Sequence, residues 1–185
     1  MALIILDRDG VINQDSDDYI RSVRDWKPIP GSIEAIADLS RAGYRIAIAT
    51  NQSGLSRGYF PLDDLEEIHS LLRRRVEEYG GTIDGIFYCP HLPEEGCTCR
   101  KPATGLLLAI ENELQESAQG APFIGDSLKD LQAARAFGCL PVLVTTGKGS
   151  RTLASLRAGD TNFDDFHAIS TYSNLADASR AILLP

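Results

Sequence analysis

Little in this 185-residue sequence is basic, and nothing near its start is long and apolar. Lys and Arg number 18 against 26 Asp and Glu, a net charge of −8. No stripe of cations interrupts that acidity, so nucleic acid is not expected as a partner. The first apolar run, 2–6, is cut off by Asp7-Arg8-Asp9. It is too short to span a bilayer and lacks the basic flank and cleavage site of a signal peptide. A cytoplasmic protein with no membrane partner is therefore expected. Cysteine is scarce, at four residues. In a cytoplasmic chain these argue for metal ligands or free thiols rather than a disulfide framework. Repeats, linkers and low-complexity tracts are also missing. The hydrophobic content of 43% still suits a buried core, and 1–185 reads as a single domain.

What is there alternates between two periods. Near-continuous apolar runs at 2–6, 44–50, 85–89, 122–125 and 141–146 predict buried strands. Between them, 32–43 carries Ile33, Ile36, Ala37 and Leu39 on one side, with Ser32 as N-cap and Gly43 as the stop. The segment 62–80 places Leu65, Ile68, Leu72, Val76 and Tyr79 at helical spacing, and 104–117 and 127–138 behave likewise. After Gly149 the pattern weakens, with a last strand expected around 166–170 and a closing helix near 172–183. Strand alternating with helix predicts an α/β fold: an open, mostly parallel, Rossmann-like sheet with helices on both faces. Cys139 reads as a small core residue, His69 as a helix-surface position and His167 as a strand position, none with a role.

Ligands of such sheets bind beyond the carboxyl ends of the strands. There the sequence places "DRDG" (7–10), "TNQSG" (50–54), "RKP" (100–102) and "GDSLKD" (125–130). Singly, Asp7 with Asp9 could be a solvated turn, Asp126 a helix cap and Lys101 a surface charge. Together, three converging aspartates repel one another unless a cation lies among them. Carboxylates with a backbone carbonyl suit Mg²⁺, and a lysine and a threonine beside it make a phosphoryl pocket.

Cys89-x-His91 followed by Cys97-x-Cys99 supplies three thiols and an imidazole within eleven positions. That set suits tetrahedral Zn²⁺, with no position open for substrate, so the expected metal is structural. Cys99 adjoins Arg100 and Lys101, so a bound metal would fix where both cations point.

In this order and at these strand ends, the four motifs resemble those of the haloacid-dehalogenase-like phosphatases. The resemblance implies that Asp7 is a nucleophile forming an aspartyl-phosphate and that Asp9 is the general acid/base. It implies that Thr50, with Asn51, Gln52 and Ser53, holds the phosphoryl group and that Lys101 neutralises it. Mg²⁺ would be bound by Asp7, the Asp9 carbonyl and Asp126. With the zinc-bound loop, the chain resembles the D,D-heptose 1,7-bisphosphate and the histidinol-phosphate phosphatases. "TNQSGLSRGYF" and "TTGKG" favour the heptose group, which implies hydrolysis of the 7-phosphate of a heptose bisphosphate in the supply of lipopolysaccharide core precursors. Histidinol phosphate as substrate, or a non-catalytic zinc-stabilised binding module, remain as alternatives.

Residues 10–31 are too few for a large cap domain. The segment 13–26 and the zinc loop are therefore expected to wall the site, with Asp15, Asp17 and Asp18 accepting from sugar hydroxyls. A solvated acidic loop is the alternative reading of those three. Arg57 and Arg100 are the cations expected to meet a distal phosphate. The expected partner is a small phosphorylated sugar, and the expected enzyme is a monomer.

Overall fold

The computed structural model describes residues 2–161, 163 and 168–184. Its centre is made by the aliphatic runs: β1 (Leu3–Leu6), β2 (Arg45–Asn51), β3 (Gly85–Cys89), β4 (Pro122–Gly125) and β5 (Leu140–Val144), with β6 (Ser170–Tyr172) at one edge. The sheet order is β3-β2-β1-β4-β5-β6. Every pairing is parallel, with Ile4 opposite Ile46 and Ile5 opposite Phe123. Helices α1 (Ser32–Arg41), α2 (Leu62–Glu78), α3 (Gly105–Leu114), α4 (Leu128–Phe137), α5 (Gly149–Ala158) and α6 (Leu175–Leu183), with a 3-10 turn at Pro93–Glu95, complete the described elements.

Because successive strand residues point to opposite faces, each strand serves two cores. On one face Ile4, Leu6, Ile46 and Ile48 pack with Ile36, Ile68, Leu72 and Leu175 from α1, α2 and α6. On the other, Leu3, Ile5, Ala49 and Phe123 pack with Leu106, Ile110 and Ala133 from α3 and α4. A fully buried Ile or Leu stabilises by about 1.5–3 kcal/mol, so these two faces, more than the short ladders, hold the sheet. No described helix is long and apolar enough to cross a membrane.

Several local expectations are corrected. Ser32 is the first residue of α1 rather than its cap, which is Gly31 in a left-handed conformation. The Ser32 hydroxyl donates instead to Ile12 O at 2.6 Å. Tyr79 falls just past α2 and is 48% exposed, so it leaves the apolar stripe. His69, expected at the surface, is buried beside that stripe. A full helix, α5, follows Gly149 where the pattern is weak; its buried side is little more than Leu156. The last strand begins at Ser170, later than expected, while Phe166 and His167 lie outside the described residues. Cys139 is a core residue, as its apolar context implies.

Candidate active site

The chain reverses its winding at β1, which lies between β2 and β4, and opens a crevice beyond the strand ends there. A cavity of about 620 Å³ fills it. Asp7 and Asp9 from the end of β1, Thr50 to Ser53 from β2, Arg100 and Lys101 from the Cys/His loop after β3, and Asp126 after β4 all line this cavity. Asp15 and Asp17 join them. Asp18 and Arg57 do not: both are exposed, and neither is part of the lining.

At the floor, Lys101 is 3% exposed. Its Nζ lies 2.8 Å from Asp7 Oδ1, 2.7 Å from Ala49 O and 2.6 Å from Asp130 Oδ1. Asp130 is a site residue that the motif reading passed over. Its other oxygen accepts from Ser127 N at 3.0 Å and Ser127 Oγ at 2.7 Å, so Ser127, not Asp126, caps α4. Asp130 thus serves both the helix start, as the acidic member of a Ser-x-x-Asp box, and the lysine at the cavity floor.

Asp7, Asp126 and Asp130 present carboxylate oxygens within 4.8 Å of one another, and all three are buried. Asp7 and Asp130 share Lys101 and Asp126 has no ion-pair partner among the described residues, which leaves the cluster short of positive charge. Burial, then the charge of Asp130, pushes Asp126 up to about 7 and Asp7 well above the carboxylate range. Burial disfavours the charge on Lys101, but Asp130 and Asp7 outweigh it and raise its pKa. Two glycines make room at this cluster. Gly10 (φ +85) and Gly147 (φ +55) would place a Cβ 2.0 and 2.2 Å from Asp126 Oδ2. That oxygen also accepts from Lys148 N at 2.7 Å. A buried, crowded, charge-deficient set of oxygen donors fits a hard divalent cation such as Mg²⁺.

Asp9 is held differently. Arg8 donates from Nε to Oδ1 at 2.8 Å and from Nη2 to Oδ2 at 3.1 Å. Asn13 Nδ2 and Gln52 Nε2 add bonds of 2.9 and 3.0 Å. Burial would raise this carboxyl, but the Arg8 guanidinium and these donors hold it below the usual range. Gln52 also donates to Thr50 Oγ1 at 2.9 Å, tying the β1 and β2 ends together. Asn51 exchanges two bonds with the Lys101 backbone, 3.1 Å to its O and 3.0 Å from its N. Its amide thereby ties the Cys/His loop to β2.

That loop brings its four soft ligands together. Sγ of Cys89 lies 3.5 Å from His91 Nδ1, 3.6 Å from Cys97 Sγ and 3.2 Å from Cys99 Sγ. Zn–S bonds of about 2.3 Å set tetrahedral ligands about 3.8 Å apart, so the donor set fits Zn²⁺. Gly105, at the start of α3, donates to Thr98 O at 2.9 Å, and a Cβ there would meet that oxygen at 2.5 Å. The loop is thus seated on α3 without space for a side chain.

Two further cations reach the cavity that sequence reasoning missed, Lys129 and Lys148. Lys148 pairs with Asp15 at 3.1 Å, which closes the wall toward a neighbouring cavity of about 510 Å³. Burial, then the charge of Arg100, lowers the pKa of Lys129. Neither Lys129 nor Arg100 has a carboxylate ion-pair partner among the described residues.

Residues 98–169 match the HAD-hydrolase-like family model. The chain is 56% identical over 170 residues to the D-glycero-beta-D-manno-heptose-1,7-bisphosphate 7-phosphatase of Pseudomonas putida, covering 91% of this chain and 97% of that one. The protein of the same name from Bordetella bronchiseptica is 51% identical over 154 residues, 83% and 86% of the two chains. A crystal structure of D,D-heptose 1,7-bisphosphate phosphatase from B. bronchiseptica, complexed with magnesium and phosphate, superposes with a TM-score of 0.91. It covers 99% of this chain and 98% of that one at 44% identity.

Proposed function

The chain belongs to the D-glycero-beta-D-manno-heptose-1,7-bisphosphate 7-phosphatases, and we propose that it removes the 7-phosphate of that sugar to supply heptose for the lipopolysaccharide core. The observation that carries the reading is the buried Asp7–Lys101–Asp130–Asp126 cluster at the strand ends, in a chain of this likeness. The β anomer is taken from the names of the relatives.

Asp7 attacks phosphorus. An Asp7 O–P bond forms as the bond from phosphorus to the sugar oxygen breaks, and the proton of Asp9 passes to that leaving oxygen. In the second half, a water oxygen bonds to phosphorus, its proton returns to Asp9, and the Asp7 O–P bond breaks. Asp9 is ionised in the free protein, and the arriving dianion favours its protonated form. Lys101 already directs its donors at Asp7, Ala49 and Asp130, so it aids the phosphoryl group as a fixed positive charge. The hydroxyls of Thr50 and Ser53 and the second amide hydrogen of Asn51 are donors on the cavity lining that can orient phosphate oxygens.

Asp7, Asp126 and the Asp9 carbonyl would hold Mg²⁺, with Asp130 behind them. When bound, the ion offsets the repulsion between a carboxylate and a phosphate dianion. Cys89, His91, Cys97 and Cys99 would hold a structural Zn²⁺ that stiffens the loop carrying Arg100 and Lys101. Four unpaired thiols suit a reducing compartment, which supports a cytoplasmic enzyme.

The substrate's second phosphate has a receptor in Arg100 and Lys129, cations without carboxylate partners on the cavity wall. The same pair opposes the cationic amine of histidinol phosphate. The test is a turnover screen with Mg²⁺ across heptose 1,7-bisphosphate, fructose 1,6-bisphosphate and histidinol phosphate. The heptose should lead in kcat/KM, and a preference for histidinol phosphate would overturn the assignment.

A further inference from the structure

Arg8 lies between the two aspartates of β1's end, yet it is absent from the cavity lining and has no exposed surface. Two of its nitrogens grip Asp9, as described, and the third, Nη1, lies 3.3 Å from His69 Nε2. A guanidinium has only donors, so His69 Nε2 must accept and the ring proton sits on Nδ1. His69 projects from α2, one turn beyond Leu65, and its ring centroid lies 5.9 Å from that of Tyr88 on β3. Burial, then the Arg8 charge, holds the imidazole neutral, its pKa down at about 3.

We infer that His69 is a positioning residue for Asp9: by accepting from Nη1 it fixes the plane of the Arg8 guanidinium, whose other edge aims the carboxyl at the leaving oxygen. The inference rests on the phosphatase reading above. A neutral acceptor is what the place requires. A carboxylate there would form a second ion pair and compete with Asp9 for the fork. An apolar side chain would leave a buried N–H without a partner and free the fork to turn. Through Arg8, a helix on the sheet face sets the aim of a group on the cavity rim.

The test uses leaving-group chemistry. A sugar alkoxide needs a proton to depart, whereas p-nitrophenolate leaves without one. Misaiming Asp9 therefore lowers kcat/KM for heptose 1,7-bisphosphate more than for p-nitrophenyl phosphate, while a general loosening lowers both alike. In His69→Leu the ratio of the two kcat/KM values should fall by about tenfold or more, the lower range of what an acid–base group contributes. In His69→Gln, whose amide oxygen accepts from Nη1, the ratio should stay within about threefold of wild type. If His69→Leu does not fold, His69→Asn, whose shorter amide falls short of Nη1, replaces it with the same expected loss. An unchanged ratio in the Leu or Asn variant, or a Gln variant as impaired as either, overturns the inference. Wild-type turnover of the heptose bisphosphate separately tests the functional reading.

Discussion

Asp7 and Asp9 stand two residues apart at one strand end, and the fold gives them opposite surroundings. Asp7 is pushed toward protonation by burial and by Asp130, and Asp9 is held ionised mainly by Arg8. In its proposed role as nucleophile, Asp7 therefore depends on added positive charge. Asp7→Asn should lower kcat on the heptose bisphosphate by at least about 10³-fold with the fold intact, because an amide cannot form the phosphoryl intermediate. Asp9→Asn should cost about 10²–10⁴ in rate by removing the proton donor and later base. A loss under about tenfold, with the sugar as leaving group, would assign Asp9 some other part. These two residues were legible as a motif. Arg8, His69, Asp130 and Lys129 were not, although His69 carried a signal. It follows Leu65 by four and precedes Leu72 by three, which puts it on the buried side of α2. Whether such a polar residue is satisfied core or part of a site depends on what lies opposite, and no local pattern states that.

The Cys/His loop is the element that carries Arg100 and Lys101 into the site. It joins β3 to α3, is seated by Gly105 against Thr98, and is tied to β2 by the bonds between Asn51 and Lys101. Cys99→Ser should reduce zinc content, lower the melting temperature and cut kcat/KM by about a hundredfold, because Arg100 and Lys101 lose their fixed positions. Added Mg²⁺ should not restore the rate. Active protein without zinc, or a Cys99→Ser variant unchanged in rate and melting temperature, would refute the structural role proposed for the metal. At this scale, strands β1 to β5 were readable because parallel strands buried on both faces are apolar throughout. Helix α5 was missed since little of it is buried. Arg57 lies outside the cavity lining because spacing places a residue near a motif without saying which way a turn presents it.

Across the whole molecule, the concentration of negative charge at one crevice couples stability to pH and metal. Asp126, moved up to about 7 from 3.8, keeps its proton in the folded, metal-free chain when the unfolded chain has lost its own. Stability therefore falls as pH rises from 3.8 to about 7, by about 1.4 kcal/mol per pH unit for one such proton. Asp7 adds to that slope in the same direction. His69, lowered from 6.5 to about 3, opposes it, since its contribution grows as pH rises through that window. A cation held by the carboxylates removes only their slope. The rise in melting temperature on adding Mg²⁺ should therefore grow from pH 5 to pH 7 in thermal melts, and a shift that shrinks would contradict the charge deficit. The central claim, that this cluster hydrolyses one of two phosphates on a heptose, is tested most directly by following heptose 1,7-bisphosphate with enzyme and Mg²⁺ by ³¹P NMR. The account predicts loss of the C7 phosphate resonance, growth of inorganic phosphate and a C1 phosphate that stays on the sugar. Loss of the C1 resonance first, or no release of phosphate, would contradict it.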